Sequence, residues 1–163
     1  MLRCMLNNLL IKNGISQTKV TNETGIRPQT VTDFCTNKYV YVLIDKMDIL
    51  CRYLGCPPGV LFTNKNNFVT SLEQPRFGGE VEINNNSVRY IKMDYTGYKL
   101  YCRLEILLNE RNMSKKDLAL LTKVRPTTIS HIANQKAERI RKQDITAICD
   151  VLNCDFSELY CYI

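Results

Sequence analysis

Arg27-Pro28-Gln29-Thr30 and Arg125-Pro126-Thr127-Thr128 are two places in this chain of 163 residues where side-chain chemistry and spacing recur together. Arginine can hold guanine through O6 and N7 at once, and glutamine can hold adenine through N6 and N7, so such residues could read base edges. Nothing comparable points to catalysis. His131 is the only histidine, no Gly-rich phosphate loop is present and carboxylates are not clustered, so an enzyme is not expected. The eight cysteines and one histidine do not assemble a zinc-ligand pattern, and neither metal nor other cofactor is expected. Cys51, Cys56, Cys149 and Cys154 fall where core residues belong and read as reduced thiols of a cytoplasmic protein. Met1 is followed at once by an amphipathic pattern, and no window approaches the roughly 20 apolar residues of a membrane span, so neither a signal segment nor a membrane is expected.

The formal net charge of +6 is unevenly placed. Residues 1–62 hold seven Lys/Arg against four Asp/Glu, residues 97–163 hold eleven against eight, and residues 63–96 hold four of each. Two basic ends around a neutral middle suit two sites facing a polyanion. The same split also fits two soluble domains that merely happen to be basic.

Sliding the sequence along itself by 98 positions explains the symmetry. Leu2, Cys4, Leu6, Leu9 and Leu10 fall on Leu100, Cys102, Leu104, Leu107 and Leu108. Ser16 meets Ser114, Thr24 meets Thr122, Arg27-Pro28 meets Arg125-Pro126, and Cys51, Leu54, Cys56 and Leu61 meet Cys149, Leu152, Cys154 and Leu159. One register held for some sixty residues without a gap means a duplicated domain.

Each copy must then build its own scaffold for these polar side chains. Leu2, Leu6, Leu9 and Leu10 share one helical face, and Asn13-Gly14 stops it. Ser16 caps a second short helix that carries Val20 inward; in copy two Ser114 has Asp117 at the capping-box position. The second helix ends near Gly25. Pro28 opens a third helix at its first position, with Val31 and Phe34 facing the core. Met47, Leu50, Cys51 and Leu54 line a fourth, and Leu61-Phe62 closes the unit in a fifth.

Ser16-Gln17, Gly25-Ile26, Val31, Phe34, Leu54-Gly55-Cys56 and Leu61-Phe62 together resemble the phage-repressor helix-turn-helix family (XRE, lambda-repressor-like). Copy two is similar through Met113-Ser114, Leu118-Ala119, Ile129-Ser130, Ile132, Asn134, Leu152 and Glu158-Leu159. The expected fold is mainly α: two five-helix helix-turn-helix domains, 1–62 and 98–163, around a linker, 63–97. Two departures from the family pattern concern turns: Lys123 replaces the turn glycine, and Arg27 and Arg125 stand where a Ser or Thr cap is usual. The resemblance implies that the third helix enters the DNA major groove. The residues pointing away from Val31 and Phe34 would read bases: Arg27, Gln29, Thr30, Thr32 and Asp33, with Arg125, Thr127, Thr128, Ser130 and His131 in copy two. It also implies phosphate contacts from Gln17, Asn37, Lys38, Lys115, Asn134, Gln135 and Lys136. It implies a cytoplasmic regulator of transcription binding double-stranded DNA, leaning toward a phage or mobile-element repressor.

The copies are not equivalent. Arg139, Arg141 and Lys142 follow the third helix of copy two and suit the DNA backbone. Copy one has the apolar Tyr39–Leu43 stretch there, which suits a protein surface or packing against the linker. Residues 63–79, broken by Pro75 and Gly78-Gly79, read as loop, and 80–93 as a β-hairpin that docks on a repeat or pairs with another chain. Three alternatives stay open: a pseudo-dimer within one chain, a homodimer, and a protein-interaction module of antitoxin, antirepressor or coactivator type that binds a partner through Tyr39–Leu43 or the hairpin.

Overall fold

The expected leucine faces and turn residues become ten helices and eight short strands among the described residues of a computed structural model, which are 1–64, 81–84, 87–90 and 93–163. Copy one runs β1 (Arg3–Cys4), α1 (Leu6–Asn13), α2 (Gln17–Thr24), α3 (Pro28–Cys35), β2 (Tyr41–Leu43), α4 (Ile44–Leu54), α5 (Pro58–Leu61) and β3 (Phe62–Thr63). A hairpin follows, β4 (Val81–Asn84) against β5 (Ser87–Tyr90), pairing Val81 with Tyr90 and Asn84 with Ser87. Copy two runs β6 (Leu100–Cys102), α6 (Leu104–Glu110), α7 (Lys115–Thr122), α8 (Pro126–Ala133), β7 (Arg139–Arg141), α9 (Lys142–Leu152), α10 (Phe156–Leu159) and β8 (Tyr160–Tyr162). Of the expected loop 63–79, Thr63 instead belongs to β3, paired with Arg3, and residues 65–79 lie outside the described residues, as do 80, 85–86 and 91–92 of the expected hairpin 80–93.

The same local devices recur in both copies. The Ser16 hydroxyl accepts the Lys19 N–H at 3.1 Å to start α2. Ser114 does this for Asp117 at 3.1 Å, and the Asp117 carboxylate accepts the Ser114 N–H in return. Thr24 and Thr122 end α2 and α7 alike: each hydroxyl donates to the carbonyl four residues back at 2.6 Å and accepts an N–H two residues on at 3.3 Å. That threonine relay fixes the turn, so Lys123 adopts the same left-handed conformation (φ 57°) as Gly25 (φ 68°). The turn geometry survives the missing glycine. Arg27 and Arg125 supply no side-chain cap, and α3 and α8 instead begin on Pro28 and Pro126, whose fixed φ suits the first helical position.

Each copy is closed by joining its ends. Cys4 pairs with Phe62 across β1 and β3, and Cys102 pairs with Tyr160 across β6 and β8. Leu2, Leu6, Leu9, Leu10, Leu54 and Leu61 are buried, as are Leu104, Leu107, Leu108, Leu152 and Leu159, while Leu100 is half-buried. Val20, Val31, Phe34, Met47 and Leu50 are buried too, with Leu118, Ile129, Ile132, Ile145 and Ile148 at their counterparts. Each such side chain contributes about 1.5–3 kcal/mol when fully buried. Cys56 folds back over Cys51, its N–H on the Cys51 carbonyl at 3.0 Å, and Cys154 repeats this on Cys149. Burial pushes the Cys4 and Cys51 thiols up, so they stay protonated and inert.

The remaining sheet joins the two copies. β2 and β7 run antiparallel with Val42 opposite Ile140, its own counterpart 98 residues on. The flanking bonds are symmetric: Ile44 N–H donates to Glu138 at 3.0 Å, and Lys142 N–H donates to Val40 at 2.9 Å. Gly59 and Ser157, also counterparts, meet where α5 packs on α10; a Cβ on Gly59 would sit 2.3 Å from that of Ser157. Two self-counterpart contacts define a pseudo-two-fold axis through one chain. The Tyr39–Leu43 stretch is therefore used within the fold, with Tyr41–Leu43 paired to copy two.

Candidate nucleic-acid interface

On α3, Val31 and Phe34 point inward with Cys35, which leaves a polar outer face. Arg27, Gln29 and Thr32 are exposed there, and Thr30 and Asp33 are half-buried. This face is knitted to itself. Gln29 Nε2 donates to Asp33 Oδ1 at 2.7 Å, and the Thr32 hydroxyl donates to Gln17 Oε1 at 3.3 Å. Gln17 thus reaches from the start of α2 onto α3, while Asp33 places a carboxylate where DNA would bring phosphates.

On α8, Ile129, Ile132 and Ala133 are buried, and the outer face carries no acid. Arg125, Thr127 and His131 are exposed, and Thr128 and Ser130 are half-buried. Asn134 Nδ2 donates to the Ser130 hydroxyl at 3.2 Å along this face. At the start of α7, Lys115 pairs with Glu105 at 3.0 Å, and the neighbouring Lys116, which sequence reasoning passed over, is exposed.

Three of the expected phosphate contacts are committed to the fold. Asn37 accepts the Cys4 N–H at 2.7 Å through its side-chain oxygen and donates its Nδ2 to the Cys4 carbonyl at 2.9 Å. Gln135 does the same to Cys102, at 2.8 and 2.7 Å. Both sit in the left-handed region, at φ 59° and 60°, which turns each amide back onto the first strand of its copy. Lys142 points into copy one, its Nζ 4.5 Å from the centre of the Tyr39 ring, and loss of solvent pulls its pKa down. The signal for the two clamps was in the repeat: an amide at one register position in both copies.

Lys38, Lys136, Arg139 and Arg141 remain exposed. Arg139 stacks over the Tyr41 ring at 5.2 Å, and Arg141 hydrogen-bonds the Tyr41 hydroxyl, which holds its guanidinium further in the charged form. Both cations are thereby fixed on the strand that crosses the pseudo-two-fold axis. Among the described residues no group of three His, Cys, Asp or Glu side chains converges on a metal position, and no helix is long and apolar enough to cross a membrane.

Two short helices meeting at a threonine-fixed turn, the second presenting polar side chains outward, form a helix-turn-helix, and the chain builds it twice. A family model for the Cro/C1-type HTH DNA-binding domain matches residues 5–65 and again residues 103–163, itself a displacement of 98. Neither a curated protein nor a solved structure matches the chain. With the family matched over most of its length and both recognition helices in place, the chain belongs to the Cro/C1-type HTH family and is a DNA-binding regulator carrying two tandem copies of that domain.

Proposed function

We propose that this chain is a transcriptional repressor that reads one operator as a monomer, using α3 on one half-site and α8 on the other. The observation that carries this reading is the β2–β7 ladder, which sets Val42 on Ile140 and so relates the two recognition helices as a two-fold dimer relates its subunits. Base reading falls to Arg27, Gln29, Thr30, Thr32 and Asp33 in copy one, and to Arg125, Thr127, Thr128, Ser130 and His131 in copy two. Gln17, Lys38, Lys115, Asn134, Lys136, Arg139 and Arg141 supply phosphate contacts, with Lys116 added. Because the two reading faces differ at three of their five positions, Gln29 against Thr127, Thr32 against Ser130 and Asp33 against His131, the half-sites are unlike in sequence. Repressor action and a phage or mobile-element setting follow the leaning of the family resemblance.

The junction favours pairing within the chain over pairing between chains. Two copies of the second domain would set Arg139 against Arg141 on both sides of the ladder, and like charges directly opposite are destabilising. They would also set Ser157 on Ser157 where Gly59 now makes room. Selection from a random DNA library, followed by mass measurement of the complex, tests the proposal. One motif with two unlike halves, bound by one chain, is expected; a palindrome bound by two chains overturns it, and no enriched motif returns the fold to partner-protein binding.

A further inference from the structure

The pseudo-symmetry exposes a hole. In copy one the Tyr39 ring packs edge-on to Phe34 and Phe62 at 5.3 and 5.7 Å, with its hydroxyl donating to the Leu2 carbonyl at 3.3 Å and Lys142 over its face. The counterpart of Tyr39 is Ala137. Around Ala137 lies a groove of about 740 Å³ between the copies. Its lining includes Leu100, the counterpart of Leu2, and Ile44, the counterpart of Lys142. Two positions that enclose the outer half of Tyr39 therefore border empty space here, with Ala137 in place of the ring. Ile132 and Tyr160, the counterparts of Phe34 and Phe62, are buried in the core.

We propose that this groove binds a small neutral phenol-like ligand, taking the place that the Tyr39 ring takes in the other copy. The floor is apolar and accepts a flat ring, as such pockets do. A polar handle is ready as well. Lys99 exchanges both backbone bonds with Ile163, so the next carbonyl, that of Leu100, points away from β8, as the Leu2 carbonyl does when it takes the Tyr39 hydroxyl. Seven of the groove's twelve lining residues are charged, four basic and three acidic, and this near balance of signs favours a neutral ligand over an ion.

The groove also straddles the junction. Leu43 and Ile44 line it from copy one, and Glu138 and Arg139 from copy two, beside the bond from Ile44 N–H to Glu138. A ligand seated there bears on the relative setting of α3 and α8 and so on DNA affinity; this second half rests on the two-helix reading proposed above.

The test is a titration of the full chain with p-cresol, the tyrosine side chain as a free molecule, followed by amide NMR. Saturable shifts centred on Ile44, Leu100 and Ala137 are expected, with Kd on the order of 1 mM for so small a ligand. Ala137→Tyr should fill the groove from within and weaken p-cresol at least about tenfold; Ala137→Leu serves the same purpose with a smaller side chain if the tyrosine variant does not fold. Shifts that never saturate, that scatter over the surface, or that persist unchanged in a folded filling variant overturn the site. A change of about threefold or more in DNA affinity at saturating p-cresol is expected on the coupling argument. Binding in the groove with unchanged DNA affinity overturns the coupling alone, and loss of DNA reading altogether leaves the p-cresol result standing.

Discussion

The two copies share a backbone plan and differ in what they do with it. Copy one spends aromatic residues: Phe34, Tyr39 and Phe62 stack edge-on in its core, and Tyr41 receives two cations from its neighbour. Copy two spends charge, with Arg139 and Arg141 exposed and Arg125 at the head of a recognition helix whose outer face carries no acid. The two copies keep the apolar class at most core positions while their side chains and surfaces differ. One copy became the better receptor for its twin, the other the more basic face. Divergence at a shared axis is what makes such a pair prefer itself.

That contrast can be broken most severely at the axis. Gly59→Val puts a branched side chain where a single Cβ already collides with Ser157, and should cost about 3 kcal/mol. Ser157→Gly, the reverse change at the counterpart, should be tolerated. Chemical denaturation reads this, and a single transition in the parent should split in the valine variant as the copies part. Equal behaviour of the two substitutions would remove the axis from the account.

The next effect separates the reading faces. Arg125→Ala should weaken operator binding by about ten- to a hundredfold, the range for one bidentate base contact. Arg27→Ala, on the reading face that also carries the Asp33 carboxylate, should cost less than about tenfold. Fluorescence anisotropy with the selected operator measures both, and the opposite ranking would reverse the assignment of the stronger half.

A smaller effect sharpens the likeness rather than the difference. Asn37→Ala and Gln135→Ala each release a backbone segment from two hydrogen bonds and should destabilise by about 1–2 kcal/mol. The salt dependence of DNA binding should not change in either, because neither amide is available to phosphate. A shallower salt slope would restore them as phosphate contacts.

Smaller again are the turns. Lys123→Gly should stabilise by about 0.5–1 kcal/mol, since the residue already sits at positive φ, while Gly25→Ala should destabilise by about 1 kcal/mol. Thermal melting orders the two. The smallest effect is acid response. Ser114 holds the Asp117 carboxyl below the usual range through its hydroxyl and N–H, so the contribution is present above the unfolded value and is lost as pH falls through the lowered one. Copy one has Lys19 at that position, so amide signals of α7 should shift on acidification before those of α2.

Much of this was legible because the repeat checks itself. A register that holds Ser16 on Ser114 and Arg27 on Arg125 fixes helix starts twice over, and local devices such as caps and leucine faces lie within a few residues of each other. The junction was not legible for the opposite reason. Tyr41–Leu43 and Arg139–Arg141 are strands of three residues, too short for an alternation signal, and their pairing spans 98 positions. Read singly, the first looked like a surface for a partner protein, and nothing near the second pointed to the tyrosine that Arg139 covers. Asn37 and Gln135 misled similarly, since a polar residue after a recognition helix reads as facing DNA unless its left-handed backbone is known. Lys142 was hidden by the aromatic ring it covers, which belongs to the other copy.

The ladder at Val42 and Ile140 has a consequence for how such a regulator would answer its own abundance. Subunits that must find each other before binding give an occupancy that rises with the square of protein concentration at low levels, and a threshold follows. On the proposed one-chain reading, the second half would arrive on the same polypeptide at an effective concentration set by the chain itself, not by expression. Occupancy of the operator should therefore climb hyperbolically from the first few molecules, trading a switch for an early and graded response.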